Sequence, residues 1–433
     1  VALANAAATL APASSSKLFR TFRARRGVLE RWSELAREKR DCSKQLIWFH
    51  APSVGEGLQA RPIIELLRRQ QPALQIAYSY FSPSAEKFAG ELAVDIAEYL
   101  PFDSAHDMRA MMQILRPSAL FFVKLDVWPN MVAAAKSSGV VTGMLSATVA
   151  PRSGRQGALS QTFLHDAYAA LDIVGAIDSE HAARLQTMGV RREVLHVTGD
   201  TRFDQVRARA DRVNRTSDVL RALHSTRPTV VAGSTWPGDE AALFGAWRAI
   251  RQRVPLARLI IAPHEPTPAT ITSLEVQASR LSLSVSRLSA LGAASTSETP
   301  PGADADVVII DSVGVLGDVY AIADIAFVGG GFHKAGLHSV LEPAAYNVPV
   351  LFGPGYDMSR EARLLVQQQG ARSVTQSAEL ADVIGEWLTN ARVRKQWGAR
   401  ALAFVNGETG AAERSLQLIT DVIAAPTSTI EDL

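Results

Sequence analysis

A buried strand that ends in three glycines is the feature that most restricts how this chain can fold. Residues 324–354 read DIAFVGGGFHKAGLHSVLEPAAYNVPVLFGP. The apolar run 325–328 suits a strand buried on both faces. Gly329, Gly330 and Gly331 at its carboxyl end allow positive φ or the close approach of a ligand. His333, Lys334 and His338 then lead into an apolar-periodic segment, 340–346, that carries Glu342. Asn347 and Pro349 stop that predicted helix, and residues 350–352 form the next strand before Gly353 and Pro354. Strand, glycine turn, helix and strand make a βαβ unit whose helix N-terminus offers free N–H groups to an anion. Glu342, one turn into the helix, is placed to accept hydrogen bonds from a ribose. An ordinary crossover with glycines needed only for packing has the same spacing. The polar cluster of His333, Lys334, His338 and Glu342 is what turns the reading toward a nucleotide-type site.

That unit has many companions. Short apolar runs at 46–49, 76–81, 96–100, 119–123, 140–145, 173–177 and 194–197 alternate with helical periodicity, and a second series follows at 229–232, 257–261, 307–310, 325–328 and 350–352. Such alternation predicts α/β architecture with parallel, doubly wound sheets. A chain of 433 residues is too long for one ordinary core. The economical reading is two Rossmann-like domains facing a central cleft, with ligands at the carboxyl ends of the strands. The expected boundaries are a basic segment 1–30, an N-terminal domain 31–204, a charged linker 205–228, a second domain 229–409 and a C-terminal helix and tail 410–433.

Composition removes several function classes. A net charge of +2 gives no argument for nucleic acid, and a single cysteine, Cys42, excludes an intrachain disulfide or a cysteine-cluster metal site. No stretch reaches the ~20 apolar residues of a membrane span. The chain opens on Val1 rather than methionine, which leaves room for residues upstream. Residues 1–12 are small and apolar, and Lys17, Arg20, Arg23, Arg25, Arg26 and Arg31 follow with Phe19 and Phe22 among them. That pattern suits an anionic bilayer surface, although a solvated basic helix has the same composition. A cleaved signal peptide is disfavoured because the basic residues follow the apolar run.

Seven motifs then occur in one collinear order: HAPSVGE (50–56), YLPFD (99–103), WPN (128–130), VTGDTRFD (197–204), DSVGVLGDVYAIAD (311–324), FVGGG (327–331) and LEPAAYNVPVLFGP (341–354). With these motifs the chain resembles the 3-deoxy-D-manno-octulosonic acid (Kdo) transferases, glycosyltransferases of the GT-B type, from about Arg31 to Ala412. The resemblance implies transfer of Kdo from CMP-Kdo to a lipid A precursor, with inversion. It also implies no metal or other cofactor, and work at the cytoplasmic face of the bacterial inner membrane. The acceptor would lie in the N-terminal half and the nucleotide sugar in the C-terminal half.

An inverting transfer needs a base for the attacking hydroxyl. The family's base is a glutamate in an Arg-Trp-Gly-Glu-Arg stretch; residues 31–35 are RWSEL, which puts Glu34 at that position, with Glu30 and Glu38 as rivals. The family's Glu-Thr-Glu-Leu-Trp-Pro-Asn is Lys124-Leu-Asp126-Val-Trp128-Pro-Asn here, so Asp126 keeps the second carboxylate and Lys124 reverses a charge. Ser53, Gly55, Glu56 and Lys124 are the acceptor-side candidates, and packing is the simpler role for Trp128. On the donor side Arg202 replaces the family lysine, and His264 matches a Pro-Arg-His-Pro histidine whose arginine is Pro263 here. Ser234 and Thr235 offer hydroxyls, Gly314 and Gly330 backbone amides, and His338, Ser339 and Glu342 stand for the family's Gly-His-Asn-x-Leu-Glu. These departures describe a divergent branch, for which a different acceptor, or a related ulosonic acid as donor, stays open. The competing functions are another GT-B nucleotide-sugar enzyme, such as an epimerase, and a non-catalytic nucleotide-binding scaffold.

Overall fold

The structure, a computed structural model, describes residues 17–150, 158–292 and 304–424. It divides into two units. One contains the chain up to Gln205 together with residues from Glu408 onward, and the other contains Val206–Gly407.

The first unit is built on β1 (Leu46–His50), β2 (Gln75–Tyr80), β3 (Ile96–Tyr99), β4 (Ala119–Val123), β5 (Val141–Ala147), β6 (Ile173–Ala176) and β7 (Leu195–Val197). They pair in parallel in the order β3-β2-β1-β4-β5-β6-β7. Every residue of β1 and β4 is buried, which is why these strands read as continuous apolar runs without alternation. The second unit uses β8 (Thr229–Thr235), β9 (Arg258–Pro263), β10 (Val285–Arg287), β11 (Val307–Ile309), β12 (Ile325–Val328), β13 (Val350–Phe352) and β14 (Ala371–Ser373). Its order, also parallel, is β10-β11-β9-β8-β12-β13-β14. The strand order reverses between β1 and β4 in the first sheet and between β8 and β12 in the second. Those are the switch points at which doubly wound sheets bind ligands.

Three expectations need correcting. The edge strands β10 and β14, three residues each, carry too few apolar residues for a pattern to emerge. The helix expected over 340–346 is a single turn, Leu341–Ala345. The histidine-bearing segment before it is held as a loop by the His338 amide, which donates to Gly329 O at 3.1 Å. The linker and tail are not separate pieces either. The helix Thr201–Arg212 runs through the expected boundary, and Leu220 and Leu223 enter the second core. The C-terminal helix Ala411–Ala424 returns to the first core, where Ala412, Leu416 and Ile419 are buried.

Candidate functional site

The β1 and β4 loops carry the acceptor-side candidates. Ser53 donates its hydroxyl to Glu56, and Lys124 Nζ reaches the same carboxylate at 3.3 Å. Burial pushes the Glu56 carboxyl up, but the Ser53 hydroxyl and Lys124 outweigh it and hold it below the usual range. Lys124 sits at φ +71°, a left-handed conformation that costs a non-glycine residue energy, directly at the switch point. Gly55 is exposed in the first turn of the helix Val54–Gln70. Asp126 and Trp128 lie in the β4 loop, where Trp128 packs on His50 and Phe81. The YLPFD and WPN motifs meet physically. The Asp103 carboxylate accepts from the amides of Asn130 (3.0 Å) and Met131 (2.9 Å), capping the helix Pro129–Ser137.

Glu34 stands on the helix Val28–Lys39, whose inward face is Val28, Trp32 and Ala36. Trp32 and Arg31, earlier on the same helix, fix its register. Trp32 Nε1 donates to Tyr99 O at 2.8 Å, and the Arg31 guanidinium forks onto Glu98 at 2.8 and 3.1 Å. Glu34 is exposed on the opposite face, and among the described residues no cation pairs with it. Glu30 and Glu38 are exposed on the same helix.

The second switch point holds most of the donor-side candidates. Ser234 interrupts β8 at φ +54°, where the β8–β9 register shifts. Gly329 packs against this irregularity, while Gly330 and Gly331 pack against the backbone of Gly336 and Gly353. A Cβ on Gly329 would lie 2.2 Å from Ser234 O, one on Gly330 2.1 Å from Gly336 O, and one on Gly331 2.5 Å from Gly353 N. Sequence reasoning missed Asp239, which organises the turn. Its fully buried carboxylate accepts from the amides of Gly330 (2.7 Å), Phe332 (3.1 Å) and Trp236 (2.9 Å). Amides expected to face a ligand anion therefore already face a protein anion. An aspartate in the first turn of the helix Pro237–Arg253, two residues after Pro237, was the available signal. Thr235 Oγ1 is likewise engaged, donating to Glu240 at 3.2 Å.

The histidines assemble around Trp236, another residue the sequence reading did not select. Its indole stacks on His333 at 4.1 Å and on His264 at 4.7 Å, and His264 stacks on His338 at 4.6 Å. Trp236 Nε1 donates to His338 Nε2 at 3.1 Å, and the Ala335 amide donates to His333 Nδ1 at 3.1 Å. Each of these rings must be bare at the accepting nitrogen, which leaves the other nitrogen to carry an N–H. Burial, with His264 adding to it, holds His338 below the usual histidine range. His338 and His333 thus present neutral N–H donors, while exposed Lys334 supplies charge and exposed Ser339 a hydroxyl.

Glu342 opens the short helix Leu341–Ala345, and no hydrogen bond from the described residues reaches its carboxylate. Burial pushes its carboxyl up, against the pull of Arg209. Gly314, at φ +91°, has open space where a Cβ would be, so this glycine serves the turn. The helix after it, Leu316–Val319, is a single turn. Arg202 belongs to the first unit and forks onto buried Asp200 at 2.6–3.1 Å, so its charge is already answered. Among the described residues no group of three or more His, Cys, Asp or Glu is arranged to hold a metal.

Comparisons with known proteins agree with these motifs. Residues 20–205 match the family model described as 3-deoxy-D-manno-octulosonic-acid transferase (kdotransferase). The 3-deoxy-D-manno-octulosonic acid transferase of Haemophilus influenzae is 27% identical over 380 residues, covering 87% of this chain and 86% of that protein. The one from Bordetella pertussis is 28% identical over 393 residues, covering 87% of each. Among solved structures, UDP-GlcNAc 2-epimerase from Neisseria meningitidis bound to UDP-GlcNAc superposes with TM-score 0.62 at 10% identity, covering 87% of this chain and all of that one. A glycosyltransferase from Rickettsia africae gives 0.58 at 11% identity, covering 88% and 98%. Likeness at such low identity concerns the two-sheet GT-B fold alone.

Proposed function

We propose that this chain, a divergent member of the Kdo transferase family and so a glycosyltransferase of lipopolysaccharide synthesis, moves Kdo from CMP-Kdo to a lipid A precursor with inversion. The observation that carries the nucleotide-sugar assignment is the state of Glu342. Its half-buried carboxylate accepts no hydrogen bond from the described residues, which is costly unless a ligand or water supplies one, and vicinal ribose hydroxyls are suitable donors.

In the proposed reaction, Glu34 takes the proton of the acceptor hydroxyl as its oxygen bonds to the anomeric carbon. The bond from that carbon to the phosphate oxygen breaks, and its electron pair leaves with CMP. Donors aimed at a developing charge stabilise it most where water is excluded. His264, the N–H groups of His333 and His338, and the Lys334 ammonium are the groups assigned to the leaving phosphate. No described helix is long and apolar enough to cross a membrane. The enzyme is assigned to the anionic cytoplasmic leaflet of the inner membrane, held peripherally by basic residues near its N-terminus.

Calorimetry with CMP, UMP and UDP tests the donor. CMP preference is expected, and Glu342→Ala should weaken CMP by about 1–3 kcal/mol. Preference for a uridine nucleotide would overturn the donor, and no nucleotide binding would favour a scaffold. Glu34→Gln should keep CMP affinity while lowering turnover by ~10²–10⁴-fold; full activity in that variant would move the base elsewhere.

A further inference from the structure

Three imidazoles meet one indole at the carboxyl ends of β8, β9 and β12, and they are not equivalent. Trp236 follows β8, His264 follows β9, and His333 and His338 lie in the segment after β12. An indole N–H can only donate. Trp236 Nε1 gives it to His338 Nε2 at 3.1 Å, so a protonated His338 would set two N–H groups against each other. His333 is under the same constraint, because its Nδ1 accepts from the Ala335 amide at 3.1 Å. His264 is not. Its backbone amide donates to Thr235 O at 2.9 Å, but among the described residues no hydrogen bond engages either ring nitrogen.

Stacking adds a second distinction. His264 lies face to face with the indole at 4.7 Å and 21°, within the range at which an aromatic face favours a cation. His333 stacks closer, at 4.1 Å, but would have to give up the Ala335 amide to take a proton. Burial, His264 and His333 oppose a charge on His338. Asp239 favours one, yet its carboxylate is already bound by three amides. Of the charged side chains near His264 in the chain or on the His333 segment, Glu265 and Lys334 are both exposed.

We propose that Trp236 is a positioning residue that sorts these imidazoles: its N–H keeps His338 neutral with Nδ1–H as the donor, and its face favours a proton on His264 when a phosphate binds. The proposal rests on the reading of this cluster as the binder of the donor's phosphate. No covalent bond to the ligand is made or broken in this step. A proton passes from solvent to a ring nitrogen of His264 and offsets one charge of the phosphate, while His338 contributes a hydrogen bond without charge.

The experiment uses the full chain labelled with nitrogen-15 at histidine, the His338 resonances being those lost in His338→Asn. Without ligand, wild type should show His338 as a single Nδ1–H tautomer. Trp236→Phe keeps an aromatic ring but no N–H, and should show a mixture or the Nε2–H form. A fixed Nδ1–H tautomer in both proteins, or an Nε2–H tautomer in wild type, overturns the proposal. This part uses no ligand, so it decides the role of Trp236 even if CMP proves to be the wrong nucleotide. With CMP as probe, His338→Asn, whose amide N–H can stand where Nδ1–H stood, should bind within about threefold of wild type, whereas His338→Gln should lose about tenfold. The reverse order would overturn Nδ1–H as the donor. Trp236→Phe should cost about three- to tenfold alone but less than about twofold in the His338→Asn background. Equal losses in both would reduce Trp236 to a packing residue. Calorimetry at pH 7 in buffers of different ionisation heat should show about half a proton or more taken up per CMP bound. His264→Gln should abolish most of that uptake; uptake unchanged in that variant would overturn the assignment of the proton.

Discussion

Asp239 is the side chain on which the second switch point depends most. It neutralises three amides that the glycine turn would otherwise bury without partners. Asp239→Ala should lower the stability of the second unit by about 2–4 kcal/mol, read from urea unfolding, because lost charge-assisted bonds and orphaned amides act together. Unchanged stability would mean that water replaces the carboxylate. The three glycines were legible as a tight turn, but their cause was not. The Ser234 backbone that Gly329 packs against lies 95 residues earlier, and no local pattern encodes that approach. His50 gives a second test at this scale. It is fully buried, its Nδ1 lies 2.9 Å from Ser79 Oγ, and burial pushes it down to about 4. An unfolded histidine titrates near 6.5, so between about 6.5 and 4 the unfolded chain binds a proton that the native chain refuses. Stability attributable to His50 should therefore be intact above that window and fall by about 3 kcal/mol as the pH drops through it. His50→Gln should flatten this acid limb; an identical limb would assign the loss to other groups.

Among the elements, the N-terminal helix Lys17–Ala24 changes most on moving from sequence to structure. The basic residues on it and just after it divide into two sets. Arg20, Arg23 and Arg26 are exposed, but Arg25 is buried, donates to Phe81 O at 2.8 Å and lies 3.5 Å from the Phe81 ring. Burial holds Arg25 down to about 10. Arg31 also turns inward, reaching Ala24 O at 2.6 Å as well as Glu98. The spacing of charges along the chain hid this division, since an arginine that packs on an aromatic ring is spelled like one that faces solvent. Residues 1–16, which include the apolar stretch 1–12 of the expected membrane segment, lie outside the described residues. Replacing Arg20, Arg23 and Arg26 with glutamine should reduce binding to anionic vesicles, each exposed charge being worth ~1 kcal/mol and fading with salt. It should leave the melting temperature nearly unchanged. Arg25→Gln should do the reverse. Equal loss of vesicle binding in both variants would separate membrane affinity from this exposed face.

At the scale of the whole molecule, both parallel sheets were legible because strands buried on both faces appear as uninterrupted apolar runs. The division of the chain was not, because a helix announces its apolar face but not the core that receives it. The C-terminal helix Ala411–Ala424 reads as an ordinary amphipathic segment following the second series of strands. It belongs instead to the first unit, packing on the helix Val54–Gln70 and on β5 and β6. Asp204 fastens its start, accepting from the amides of Gly410 at 2.6 Å and Ala412 at 3.0 Å, and Arg414 donates to Thr198 O at 2.7 Å. Ending the chain after Thr409 removes buried Leu416 and Ile419, worth about 1.5–3 kcal/mol each. It also leaves the Asp204 carboxylate without the Gly410 and Ala412 amides. A loss of about 3–6 kcal/mol is a large part of the roughly 5–15 kcal/mol that holds an ordinary domain together. The truncated chain should therefore lose amide-exchange protection in β5, β6 and Val54–Gln70, while β8–β14, whose core contains none of these residues, stay protected. Uniform loss across both sheets would mean that the two units unfold as one. Full protection in β5 and β6 would mean that the returning helix adds nothing the first core needs.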